Sequence, residues 1–168
     1  MLVKSMKRVA VLALALLLSA PVWASSGACY DQAERDAEQL VRLHSALMVI
    51  TLSCRTDSHG VPLSSAYQQF TQGNLQRIKD AEHELMAWHR RHGAASGEAK
   101  MDRIRTEFHN EYSYKLAQLS PATFCANYRD MVMQDSGLTG SALTQTLRAM
   151  AADYRGKTPS CAVRQAAK

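Results

Sequence analysis

The sequence lacks the short motifs that carry catalysis or phosphate binding in many enzyme families. It contains no GxSxG, no HExxH and no GxxxxGK[ST] segment. Its acidic residues are scattered over polar faces, and no run of lysine or arginine forms a stripe that would bind phosphates. These absences favour a non-enzymatic protein over an enzyme, and they predict neither a cofactor nor a nucleic-acid partner.

The sequence also lacks the alternation of apolar and polar residues that marks β-strands. Apolar residues instead recur every three or four positions in five segments. These segments are residues 31–54, 64–92, 98–119, 121–135 and 143–154. Gly73 lies inside the second segment and weakens a helix by about 1 kcal/mol relative to alanine, so a kink or break there is expected. The pattern predicts an all-α antiparallel bundle of about five helices joined by short loops.

Long hydrophobic runs are absent after the first 24 residues. Before that point, basic residues precede an apolar run at 9–18, and small residues lead to Ala24. This pattern is typical of a secretory signal peptide. The apolar run is too short for a transmembrane helix, because a bilayer crossing needs ~20 apolar residues. We predict a signal peptide at 1–24 and a single helical domain at 25–168. The mature protein is expected to be periplasmic or secreted, with no transmembrane segment.

The predicted mature chain also has almost no excess of positive over negative residues. Three of the 20 basic residues and none of the 15 acidic residues precede the expected cleavage site, which leaves 17 against 15, a net charge of +2. The basic character of the whole chain therefore comes partly from its leader, and it does not indicate a polyanionic partner.

Cysteine occurs four times and never as a CxxC pair, which disfavours a redox dithiol or a zinc knuckle. In an oxidising compartment an even number indicates two disulfides. A continuous first helix separates Cys29 from Cys54 by about 35 Å, whereas bridged Cα atoms lie ~5.5 Å apart, so these two do not pair. Up-and-down tracing favours Cys54 with Cys125 and Cys29 with Cys161. The alternative joins Cys29 to Cys125 and Cys54 to Cys161.

The segment SSGAC before Cys29 has some likeness to the box that precedes a lipidated cysteine. Ser26 stands where a leucine is usual, and lipidation of Cys29 would leave an odd number of thiols. Lipid anchoring at Cys29 is therefore disfavoured.

Three histidines stand close together in the segment EHELMAWHRRHG. At about 100° per residue, His83 points away from the apolar face, while His89 and His92 share that face. The favoured interpretation is that the pair closes the helix as rim residues near the negative end of its dipole. A speculative metal site at His89 and His92 would need a third ligand from another helix, for which His109 and Glu111 are candidates.

The remaining histidines and the methionines have simpler interpretations. His44 lies on the apolar face of the first helix and is predicted to be a hydrogen-bonded core residue. His59 lies in a turn-rich loop and is predicted to be solvated. The methionines fit inward positions, which favours core packing over a copper site.

In three segments, RLHSALMVITLSC, AYQQFTQGN and SPATFCANY, the chain resembles small exported four-cysteine helical proteins of unknown function found in bacteria. The resemblance extends over most of the predicted mature chain, in the same order. It rests on cysteines and apolar stripes, so it implies a fold and a compartment but no activity.

Three functions remain open from the sequence. The favoured one is a non-enzymatic binding or interaction module of the cell envelope, whose partner is an envelope protein or peptide held in a groove or on an exposed helix face. The second is a metal-handling protein that uses His89 and His92. The third is an envelope hydrolase whose residues converge only in space, and a cleft that holds His109 with an acid would be its structural sign.

Overall fold

The computed structural model describes residues 28–154 and 156–161. The predicted signal peptide and its cleavage site at Ala24 lie outside the described residues. Six α-helices follow one another: α1 (Gln32–Cys54), α2 (Leu63–Gly73), α3 (Leu75–Arg91), α4 (Gly97–Gln118), α5 (Pro121–Asp135) and α6 (Gly140–Asp153). Within these ranges the regular structure is entirely helical, which confirms the all-α prediction. No described helix combines the length and the hydropathy that a membrane crossing requires.

Local sequence signals set the helix ends. Asp31 and Glu34 form a reciprocal capping box at the start of α1, with N–O distances of 3.0 and 2.7 Å. Ser96 and Ser120 accept hydrogen bonds from the first turns of α4 and α5. Gly93, at φ +91°, lets the chain leave α3 in a left-handed conformation that other residues rarely adopt.

The second predicted helix is two helices, α2 and α3, which meet at Asn74. The Asn74 side chain donates to the backbone oxygens of Phe70 and Leu138, both at 2.9 Å. It thereby ties the joint between α2 and α3 to the turn after α5. The break lies next to Gly73, where the sequence made a helix weak, and it raises the helix count from about five to six.

Helix α1 is the centre of the bundle and packs against each of the other five helices. Its buried side chains therefore extend well beyond one apolar stripe, and they include Leu43 and Ala46 as well as the polar Gln39 and Ser45. Each fully buried apolar side chain contributes roughly 1.5–3 kcal/mol to stability. A helix with neighbours on most of its sides cannot be described by a single amphipathic face.

Two disulfides brace the bundle. Cys54 at the end of α1 is joined to Cys125 in the first turns of α5, and Cys29 is joined to Cys161. This is the pairing that the helix lengths favoured, and it excludes the alternative. Because the sulfur of Cys29 is held in a disulfide, it is not available to form the thioether of a lipid anchor.

After α6 the chain returns to the start of α1 as a short segment, residues 156–161, which we call the C-terminal strap. The Tyr30 amide donates to the Pro159 oxygen, and the Cys161 amide donates to the Tyr30 oxygen, both at 2.9 Å. Lys157 reaches Glu107 on α4 at 2.7 Å. The disulfide of Cys29 and Cys161 completes these attachments, so the strap is fixed beside the first turns of α1.

Candidate functional site

His89 belongs to the core. Its Nε2 atom lies 3.0 Å from the buried hydroxyl of Tyr30, and the ring of Trp88 packs edge-on against both rings. Burial is the main cause that lowers the pKa of His89 to about 4, and the charges of Lys100 and His92 lower it further. His89 is therefore neutral near pH 7, and its hydrogen-bonding partner is a tyrosine of the same core.

His92 is exposed and lies at the end of α3, at the rim of the buried stripe. It is His89 that departs from the expected rim position, because it is buried. Helix α3 ends at Arg91, and the backbone of His92 is no longer helical, with φ −108° and ψ 29°. Its ring stacks on Trp88 with 3.9 Å between centroids, so it covers that residue from outside. His83 is exposed, as the helical spacing indicated.

The candidate third ligands do not complete a metal site. Glu111 binds Arg42 through two hydrogen bonds of 2.8 and 2.6 Å. Within residues 28–154 and 156–161, no three His, Cys, Asp or Glu side chains are grouped so that they could hold a metal ion. The geometry thus gives His89 and His92 packing roles.

The other two core-facing histidines are also engaged or shielded. His44 lies with its Nε2 atom 2.9 Å from the Tyr67 hydroxyl, and burial lowers its pKa. His109 is half-buried, and burial together with the charge of Arg105 lowers its pKa. His109 lies outside both clefts described below, so neither cleft carries the predicted sign of a hydrolase.

One concavity of the described residues is a cleft of about 670 Å³, which we call the Glu38 cleft. It lies between the first turns of α1, the end of α6 and the C-terminal strap. Helix α1 contributes Glu38, α6 contributes Ala151 and Ala152, and the strap contributes Gly156 and Pro159. The cleft therefore forms only when the two ends of the described chain are brought together.

Glu38 is a half-buried carboxyl group whose pKa is raised to about 7. Burial is the main cause, because it disfavours the charged form. Nearby Arg42 and a long hydrogen bond of 3.5 Å from the Gln39 amide lower the pKa, but they do not offset the burial. A carboxyl group that is divided between two protonation states at neutral pH, and that lines a cleft, is a recognised sign of a functional site.

Gly156 allows the C-terminal strap to approach Glu38. A Cβ atom at this position would lie 2.8 Å from Cε1 of Tyr154 and 3.1 Å from Oε2 of Glu38. A larger residue would therefore displace the tyrosine ring or the carboxyl group. Gly156 thus sets the width of the cleft beside Glu38.

The rim of the Glu38 cleft carries the opposite charge. Arg35 lies one turn before Glu38 on α1 and donates to the Gln32 side-chain oxygen. Arg148 approaches from α6, where its Nε atom is 3.7 Å from Asp36. The cleft thus combines an acidic interior with a basic rim.

A second cleft of about 470 Å³, the Tyr154 cleft, lies on the other side of Tyr154. Here Arg42 is held by its two bonds to Glu111, and its guanidinium carbon lies 4.3 Å from the centroid of the Tyr154 ring. Burial raises the pKa of Asp135, which lines the same cleft. Because the arginine is already paired and stacked, this cleft offers a ligand less unused charge than the Glu38 cleft does.

Sequence reasoning did not identify Glu38. Its helical neighbours Ala37, Val41 and Arg42 are apolar or paired, which places it at the border of a buried face, but nothing local indicates what covers it. Comparison with known proteins adds no assignment, since no family model, no curated protein and no solved structure matches the chain.

Proposed function

We propose that the protein is an exported, non-enzymatic binding protein and that its ligand occupies the Glu38 cleft. The observation that carries this proposal is a cleft of about 670 Å³ that contains a half-buried carboxyl group with its pKa raised to about 7. Ligand sites are typically concavities of ~300–1,000 Å³ with mostly apolar walls and a few polar groups that orient the ligand. The Glu38 cleft has this composition, with Ala151, Tyr154 and Pro159 among its apolar walls.

Export is part of the proposal. Two disulfides in a chain of this size favour an oxidising compartment, because cytosolic thiols are normally kept reduced. The predicted signal peptide at 1–24 and the resemblance to exported four-cysteine proteins favour the periplasm. We therefore place the ligand outside the cytoplasm.

Binding is favoured over catalysis by the content of the Glu38 cleft. Acid–base or nucleophilic catalysis needs a second group, usually a histidine, a cysteine or another carboxyl group, within hydrogen-bonding reach of the first. Among the described residues that line this cleft, Glu38 is the one carboxyl group, and none is a histidine or a cysteine. Of the predicted partners, a peptide suits a cleft of this size better than the flat surface of a folded protein does.

A thermal-shift experiment tests the proposal. The mature protein is heated with a panel of amino acids, short peptides, sugars and nucleosides. A ligand present at 100 times its Kd adds about 2.7 kcal/mol to the stability of the native state and raises the Tm by several degrees.

The matched variants are Ala152→Trp, at a residue that lines the cleft, and Ala149→Trp, at an exposed residue of the same helix that does not line it. We expect the ligand to raise the Tm of the wild type and of Ala149→Trp but not of Ala152→Trp. A ligand effect that survives Ala152→Trp, or a panel in which no compound raises the Tm, would contradict the proposal.

A further inference from the structure

The interior carboxylate of the Glu38 cleft has hydrogen-bonding capacity left for a ligand. An ionised carboxylate accepts about four hydrogen bonds. Among the described residues, the Gln39 amide donates to Glu38 at 3.5 Å, while nearby Arg42 directs its Nε and one terminal nitrogen at Glu111. A cationic group that entered the cleft would find an acceptor with its oxygens available.

The basic rim has unused donors as well. A guanidinium group carries five N–H donors and matches the two oxygens of a carboxylate. Among the described residues, Arg35 donates one side-chain bond, to Gln32, and Arg148 forms an ion pair with Asp36 at 3.7 Å, which is longer than a hydrogen bond. Both arginines can therefore bind an anionic group at the mouth of the cleft.

The spacing of the two charges limits the ligand. Arg35 and Glu38 are three residues apart on α1, so their Cβ atoms are ~5–6 Å apart. An extended peptide separates its terminal charges by about 3.5 Å for each residue. The charged groups lie further apart than the Cβ atoms, because the Arg35 guanidinium turns towards Gln32, away from Glu38. A peptide of two or three residues spans about 7–10 Å and can reach both charges. The apolar wall at Ala151, Tyr154 and Pro159 suits apolar side chains.

We infer that the Glu38 cleft binds a short peptide of two or three apolar residues, with its free ammonium on Glu38 and its free carboxylate on Arg35 and Arg148. This inference rests on the proposed function and names its ligand class. The two termini of the peptide then bind groups of opposite charge, and this arrangement selects zwitterionic peptides over longer chains whose termini lie elsewhere.

Isothermal titration at pH 7.4 with three matched ligands tests the inference. The ligands are Leu-Leu, N-acetyl-Leu-Leu, which lacks the ammonium, and Leu-Leu amide, which lacks the carboxylate. Because hydrogen bonds to charged groups are the stronger ones, we expect each cap to weaken binding by about 10- to 100-fold.

Variants then assign each end of the peptide. In Glu38→Gln, Leu-Leu and its acetylated form should bind equally, while the amide remains weaker. In Arg35→Ala with Arg148→Ala, Leu-Leu and its amide should bind equally, while the acetylated form remains weaker. The control Glu84→Gln, at a half-buried carboxyl group on α3 outside the cleft, should preserve both differences.

Proton release supplies a readout that a purely structural role for Glu38 would not change. An ammonium on Glu38 holds it ionised, so binding near pH 7 should release protons, seen as a heat that depends on the ionisation enthalpy of the buffer. Within the part of the chain that the structure describes, the charged and titratable groups that face Glu38 are Arg42 on α1, Tyr30 before α1 and Tyr154 after α6, with Arg35 and Arg148 at the rim. Both tyrosines have raised pKa values and stay neutral at this pH, so proton release should disappear in Glu38→Gln.

The outcomes separate this inference from the proposed function. If acetylated Leu-Leu binds as tightly as Leu-Leu, or if a compound other than a peptide is the one that Ala152→Trp excludes, the ligand class is wrong and the binding function stands. If no compound in the panel depends on the cleft, both are overturned.

Discussion

His89 and Glu38 are two ionisable groups that burial perturbs, and Tyr30 lies near both of them. Burial favours the neutral form of each, with a pKa of about 4 for His89 and about 7 for Glu38. His89 meets the Tyr30 hydroxyl at 3.0 Å among packed aromatic rings, whereas Glu38 faces a cleft. A perturbed pKa is thus shared by a structural residue and a candidate binding residue, and what separates the two is whether the group faces a partner or open space.

The two groups also affect stability with opposite dependence on pH. Between about pH 4 and 6.5 the unfolded chain protonates His89 while the folded chain does not, so stability rises with pH over this window. Between 4.5 and about 7 the folded chain keeps the proton on Glu38 while the unfolded chain loses it, so stability falls as pH rises. The two effects partly cancel in the wild type, and single substitutions separate them.

The largest expected effect comes from removing the disulfide that fixes the C-terminal strap beside α1. The double variant Cys29→Ser with Cys161→Ser should lose roughly 2–5 kcal/mol of unfolding free energy, because this bridge closes a loop across 132 residues. It should also lose ligand binding, because the C-terminal strap forms one wall of the Glu38 cleft. Urea denaturation and titration with Leu-Leu measure the two losses.

The matched control is Cys54→Ser with Cys125→Ser, whose bridge closes 71 residues on the far side of the bundle. It should lose a similar amount of stability and keep ligand binding. If both double variants bind equally well, the strap does not form the site.

The next largest effect is expected when His89 loses its hydrogen-bond partner, the Tyr30 hydroxyl. Tyr30→Phe keeps the aromatic ring against Trp88 but leaves a buried imidazole without its hydrogen bond, which costs about 1–3 kcal/mol. Chemical denaturation at pH 7 measures this loss. The control Tyr114→Phe, at a side chain that is 66% exposed, should change the unfolding free energy by less than about 0.5 kcal/mol. If the two variants lose equal unfolding free energy, the Tyr30 hydroxyl does not stabilise His89 in the core, and the contrast between His89 and Glu38 fails.

A smaller effect of opposite sign is expected at Glu38. At pH 8 the wild type holds a partly desolvated charge that Glu38→Gln lacks, so the variant should be more stable by about 1–2 kcal/mol after allowance for its partial exposure. The gain should vanish near pH 4, where the carboxyl group is protonated in both states. Tm values measured from pH 4 to 8 test this prediction, and a variant that is less stable than the wild type at pH 8 contradicts it.

The smallest effect is expected at His83, which shares its sequence segment with His89 but is exposed. His83→Ala should change the unfolding free energy by less than about 0.5 kcal/mol. Chemical denaturation at pH 7 measures this quantity. A larger change would mean that His83 has a partner among its neighbours.

Local features of this fold were predictable, and features that combine distant segments were not. Apolar spacing predicted the helices, and the length of α1 separated Cys29 from Cys54, because periodicity and rise are properties of one segment. The rim position expected for His89 was wrong, because Tyr30, from the segment before α1, covers it and makes it part of the core. Glu38 was missed because its cleft is completed by α6 and the C-terminal strap, more than a hundred positions later in the chain.

The adjacency of Cys29 and Cys161, with 5.1 Å between their Cα atoms, makes the described fold nearly a closed ring. The chain could therefore be opened in the exposed loop between α1 and α2, at residues 58–61, and rejoined by a short linker from Cys161 to Cys29, which gives a circular permutant with the same helix contacts. In that molecule the bridge would close a loop of only a few residues and add little stability, yet it would still hold the strap against Tyr30. The permutant would thus separate two roles that the natural connectivity combines in one bond, the restriction of the unfolded chain and the shaping of the cleft.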